Sequence, residues 1–99
     1  MELELTHHAT EDLRAISRYT LNKWDEEQED RYLRGMHLKF NEISTDPSRW
    51  KSRNDLFPQC QIARFGRHVI LLMCEDDCLT IVRVLHGAME FKNHVPDVF

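Results

Sequence analysis

Ninety-nine residues, 41% hydrophobic and 30% charged, describe one globular domain over residues 1–99 with a modest core, not a disordered chain. The longest apolar run, Val69 to Cys74, is far too short to span a bilayer, and "MELELTHH" lacks the basic start and apolar stretch of a signal peptide, so no membrane contact and a cytoplasmic location are expected. A net charge of −4 excludes a broadly basic protein that coats nucleic acid, and no direct sequence-specific nucleic-acid binding is expected.

The chain opens with "ELEL" at residues 2–5, an alternation that suits a short strand with Leu3 and Leu5 facing a core. Thr6 can cap a helix. Ala9, Leu13, Ile16, Thr20 and Trp24 then recur at helical spacing, with Glu11, Asp12, Arg14 and Arg18 turned away. Acidic residues near the start and Lys23 near the end suit the helix dipole. Asp25 restarts the pattern, with Gln28 placed as in a capping box. Tyr32, Leu33, Met36, Phe40 and Ile43 form a second stripe, which Pro47 ends. Gly35 inside this helix costs about 1 kcal/mol relative to alanine, a cost that close approach of the first helix would offset. The short link predicts an antiparallel helical hairpin.

No period holds from Pro47 to Gln59, which reads as a loop anchored by Trp50 and Phe57. The period then becomes two. Cys60 to Phe65, Arg67 to Cys74 and Cys78 to His86 read as three strands of an antiparallel meander, turned at Gly66 and at "EDD". Leu79, Ile81, Arg83 and Leu85 are expected on one face of the last strand. Thr80, Val82, Val84 and His86 are expected on the other. Beyond Gly87 there is room for a helical turn or two, with Met89 and Phe91 placed to cover an edge of the sheet. The fold class is therefore α+β, a helical hairpin packed on a small antiparallel sheet in the order β-α-α-β-β-β.

Three cysteines, Cys60, Cys74 and Cys78, without a secretory signal argue against a disulfide framework. Their spacing is unlike a zinc site, even with His86 added, so neither metal nor cofactor is expected. Charge is unevenly placed. Residues 1–46 carry 6 basic and 11 acidic side chains, residues 47–74 carry 5 and 1, and residues 75–99 carry 2 and 5. The positive middle suits an acidic or anionic partner, and Arg49, Lys51 and Arg53 make its loop a candidate contact. "IVRVLHGAME" at residues 81–90 places Arg83 and His86 in an apolar strand. Being three apart, they are expected to leave opposite faces, so a histidine catalyst would need Arg64, Arg67 or His68 from elsewhere. Arg64, Arg67, Arg83 and His86 are the candidate target-binding residues.

Four stretches together resemble the ParE branch of the RelE/ParE family of bacterial type II toxins. They are "AxxDLxxIxxYTxxxW" from Ala9 to Trp24, "QxxxYLxxM" from Gln28 to Met36, "RFGRHVIL" from Arg64 to Leu71, and "IVRVLHGAME". They cover most of the chain in the family's order. Asp25 departs from the glycine usual after the tryptophan, and its capping role accounts for that.

The resemblance implies a helical hairpin on a small antiparallel sheet. It also implies a cognate antitoxin that wraps and neutralises the toxin, and poisoning of DNA gyrase. Its RelE-like branch implies instead cleavage of messenger RNA on the ribosome, and a non-toxic binding module of the same fold is a third reading. Three features favour a non-enzymatic gyrase binder. The net negative charge suits a phosphate-rich ribosome poorly. Cleavage through a 2′-hydroxyl needs a base, an acid and a stabiliser, whereas Leu85 and Gly87 flank the candidate histidine and both tyrosines, Tyr19 and Tyr32, are expected on helices. The tail has no tyrosine. His68 and His86 are accordingly expected to bond to the backbone, and no catalytic residue is assigned.

Overall fold

Each helix begins where a side-chain oxygen can meet an unpaired amide. In this computed structural model, which describes residues 1–87 and 91–94, helix α1 spans His7–Lys23 and helix α2 spans Glu26–Thr45. Thr6 Oγ1 accepts the Ala9 N–H at 3.0 Å, and Asp25 Oδ1 accepts the Gln28 N–H at 2.8 Å. Each fills one vacant donor of a first turn. Lys23 lies in the last turn of α1, but Glu11 and Asp12 lie beyond its first turn, where the dipole effect has faded, so that part of the expectation is corrected. Ala9, Leu13, Ile16, Met36, Phe40 and Ile43 are buried as their spacing requires, whereas Trp24 closes α1 and stays exposed.

The sheet has five strands, β1 (Glu2–Leu5), β2 (Lys51–Ser52), β3 (Gln61–Phe65), β4 (His68–Glu75) and β5 (Cys78–His86), in the spatial order β1-β5-β4-β3-β2. Strands β3, β4 and β5 form the expected meander. Its two-residue turn uses positive φ at Asp76 and Asp77, which aspartate tolerates better than most residues. Two departures follow from features too local or too distant for period to reveal. Strand β1 pairs parallel to β5, so the sheet is mostly antiparallel and not wholly so. Residues 47–59, read as loop, contain a 3₁₀ turn at Pro47–Arg49 and the two-residue β2.

Both helices lie on one face, over Ala63, Ile70, Leu72, Leu79, Ile81 and Val84. The other face buries Phe57, Cys60, Ile62, Val69, Leu71, Val82 and Leu85, with Leu56 and Phe91 packed on them. Trp50 and Phe57 therefore anchor the loop as expected, one on each face. Phe91 begins a short 3₁₀ turn, Phe91–His94, while Met89 lies outside the described residues. Gly35 faces the sheet and not the first helix: a Cβ there would come 2.6 Å from Cζ of Phe65. Among the described residues no helix is long and apolar enough to cross a membrane.

Strand β5 also corrects its expected faces. Leu72 pairs with Ile81 and Leu71 with Arg83, so Val82 is passed over in a bulge. The alternation slips there. Leu79, Ile81 and Val84 pack under the helices, while Val82 and Leu85 pack beneath the opposite face.

Candidate functional site at the open end of the sheet

Strand β1 stops at Leu5, which leaves the second half of β5 paired to β4 on one side and without a strand on the other. An unpaired strand edge carries unmet donors and acceptors. The start of α1 meets them with side chains. Thr6 Oγ1 donates to the Val82 carbonyl at 2.6 Å, and Asp12 Oδ2 accepts the Val84 N–H at 2.9 Å. The same carboxylate receives Arg83 at two nitrogens, at 2.8 and 2.7 Å, and a third Arg83 nitrogen donates to the His94 carbonyl at 2.6 Å. Both partners are largely buried, at 15% and 14% side-chain exposure. Arg83 is thus committed inside the fold, bonded to Asp12 and to the His94 carbonyl.

The other candidates lie around the turn between β3 and β4. Phe65, His68 and His86 occupy one row across three strands, and Gly87 N–H bonds to the Arg67 carbonyl at 2.9 Å, so β5 ends beside that turn. Tyr32 of α2 descends onto this row. Its Oη is 2.6 Å from His68 Nδ1 and 3.3 Å from the Phe65 carbonyl oxygen. Gly66 permits the approach twice over. Its φ of +56° suits glycine, and a Cβ there would lie 2.6 Å from the phenol oxygen. The His68 and His86 rings meet edge to face at 5.8 Å.

These residues line one end of a hollow of about 800 Å³ between the hairpin and the sheet. Burial raises the Tyr32 pKa, opposed by the Arg67 backbone N–H and the Arg67 charge. Burial also lowers the His68 pKa, aided by His86 and opposed by Asp12. The phenol is therefore protonated and His68 neutral at pH 7. A neutral imidazole beside a phenol and a guanidinium can accept a proton or hold an anion.

The structure thus brings Arg67 and His86 together with His68 and Tyr32. Arg64 pairs with Val69 and so starts from the opposite face, although its Nη1 is 4.0 Å from the Cβ position of Gly87. Arg49 is paired with Glu42 and stacks over Trp50, Lys51 is exposed on β2, and Arg53 grips Asp55 with two bonds. Tyr32 was missed as a site residue because its place on the apolar stripe reads as core. The available signal was its polar tip, which needs a partner when buried. The expected backbone partner for His68 is corrected to this phenol.

Cys60 and Cys74 pack on opposite faces of the sheet, so they cannot share one ion with Cys78 and His86. Burial pushes the Cys60 thiol up to about 12, which makes it a poor ligand and nucleophile. Glu2, Glu4 and Cys78 come within 4.8 Å of one another at the far edge, an acidic cluster of which both carboxylates are exposed.

Comparison with known proteins now adds to this geometry. A family model described as ParE toxin of the type II toxin–antitoxin system parDE matches residues 3–91. The protein called Toxin ParE from Escherichia coli is 30% identical over 94 residues, covering 94% of this chain and 91% of its own. A solved structure titled "Chromosomal ParDE TA system from P. aeruginosa" superposes with a TM-score of 0.73 at 15% identity, over 87% of this chain and 95% of that one, which supports the fold. The match over nearly the whole length shows that this chain belongs to the ParE toxin family of type II toxin–antitoxin systems.

Proposed function

We propose that this protein acts in the cytoplasm by binding DNA gyrase, without catalysis of its own, and is neutralised by a cognate antitoxin. The observation that carries the reading is the ParE family match along residues 3–91. The open end of the sheet supplies the contact, through Arg67 and His86 with Arg64 at its margin. Arg49, Lys51 and Arg53 form a second basic contact at the opposite edge. Arg83 contributes indirectly, by fixing Asp12 and the end of β5. Purified protein at micromolar concentration is expected to inhibit supercoiling or to stabilise gyrase-cleaved DNA. Failure of both effects would refute the reading.

The antitoxin would dock through a segment that folds on contact. The free edges of β1 and β2 offer strand pairing, and Tyr19, Leu21, Trp24 and Leu38 leave apolar surface on the hairpin. Such a complex should survive about 1 M salt, where charge attraction is strongly screened. Dissociation at moderate salt would count against it.

One observation favours a second reading, RNA cleavage. A phenol, two imidazoles and Arg67 do converge in the hollow, the phenol reaching His68 from helix α2. If that reading holds, expression arrests translation at once, and Tyr32→Phe with His68→Gln abolishes the arrest. Filamentation with DNA damage, unaffected by those changes, supports gyrase instead. Unimpaired growth in the absence of antitoxin would favour an inert binding module.

A further inference from the structure

We propose that the hollow beneath the helical hairpin binds a mononucleotide, with its phosphate at the Arg67–His68–His86 end and its base against Tyr19 and Trp24. The volume, about 800 Å³, lies within the usual range for small-molecule sites. Its charge is opposite to that of the whole chain. Lys23, Arg31 and Arg67 line it, whereas its one carboxylate among the described residues, Asp12, is already held by Arg83. Arg31 bonds to Glu27 at 3.1 Å, but that pair is exposed and readily exchanged for a phosphate oxygen.

The two ends of the hollow differ in chemistry. At one, Tyr32 fixes the His68 ring, and His86 lies beside it at the mouth. Imidazole and guanidinium nitrogens there can donate to a phosphate. At the other, Tyr19 and Trp24 leave 60% and 64% of their surfaces open. Exposed rings accept a stacked base without regard to sequence. An acidic side chain would meet the cations but leave the rings bare, whereas a nucleotide engages both.

The titratable and charged groups that share the hollow with His68 are Asp12, Tyr19 and Lys23 from α1, Arg31 and Tyr32 from α2, Arg67 from the turn, and His86 from β5. A bound phosphate opposes the desolvation that keeps His68 neutral, so binding raises the His68 pKa.

Calorimetric titration of the full chain with AMP, adenosine and inorganic phosphate tests the proposal without reference to gyrase. AMP is expected to bind at least about tenfold more tightly than adenosine or phosphate. Arg67→Ala should weaken AMP by about tenfold or more, Trp24→Ala by a smaller factor, and Arg49→Ala not at all. Urea midpoints confirm that each variant folds. A 5′-phosphorylated tetranucleotide that binds as well as AMP, with its 5′-hydroxyl form weaker, would support the same phosphate site and identify a strand end as its source. Preference for AMP over both would support it and identify the free nucleotide. No saturation below about 10 mM, equal binding of AMP and adenosine, or unchanged AMP binding in Arg67→Ala would overturn the proposal.

Discussion

At Arg83 the chain joins a guanidinium, a carboxylate, a strand amide and a carbonyl into one largely buried cluster, while three residues later His86 faces a hollow open to solvent. Both residues interrupt the same apolar strand. Their difference comes from what lies beside each. Arg83 sits where β1 has ended and α1 crosses the vacant edge, so its charge and that of Asp12 complete the fold. His86 ends β5 opposite His68, the residue that Tyr32 reaches, and among the described residues it stays exposed where it lines the hollow. A polar residue in an apolar strand therefore says little about function until its neighbours across the edge are known.

The closed cluster should be the more sensitive to truncation. Asp12→Ala would strand a buried guanidinium and the Val84 amide, and should cost about 3–5 kcal/mol in urea unfolding. The double change Asp12→Leu with Arg83→Met should recover a large part of that loss, because an uncompensated charge is worse than none. A loss below about 1 kcal/mol for Asp12→Ala would show that the cluster behaves as an ordinary surface pair.

At the open end the expected effects are smaller. Gly35→Ala drives a Cβ against the Phe65 ring, and overpacking of about 1–3 kcal/mol should exceed the helix gain of about 1 kcal/mol. In a Phe65→Leu background the same change should become favourable, a reversal readable from paired unfolding curves. Tyr32→Phe removes the bond to His68 and should cost about 1 kcal/mol.

The least effect concerns pH. The folded His68 pKa lies below its unfolded value near 6.5, so the unfolded chain binds the proton more readily. Its contribution is complete above pH 6.5 and is lost as pH falls through the lower, folded value. The urea midpoint should drop between pH 7 and 5, and His68→Gln should flatten that part of the profile. An unchanged slope in the variant would assign the dependence to other groups.

Both helices were legible in the chain because their signals are local: Thr6 and Asp25 as caps, and stripes ending at Ile43. The meander was legible because short turns leave strands no other partner. The parallel pairing of β1 was not, since its partner residues lie 76 positions away, as from Glu2 to Cys78. Nor was the slip at Val82, because a bulge reflects a mismatch between two strands and leaves no mark in the composition of either. The site was half legible. Arg67 is marked by its charge and His86 by its polarity at the end of an apolar strand, but the Tyr32–His68 contact spans 36 residues and depends on how α2 is set over the sheet.

On the proposed function, the open end of the sheet carries the biological contact while the Arg83–Asp12 cluster carries the fold. Gyrase cleavage stabilisation by Arg67→Ala/His86→Ala tests it most directly, with the urea midpoint measured on the same sample. At least a tenfold loss of potency is expected, about the effect of one charge-assisted hydrogen bond, with the midpoint unchanged. Full potency in that variant would contradict it.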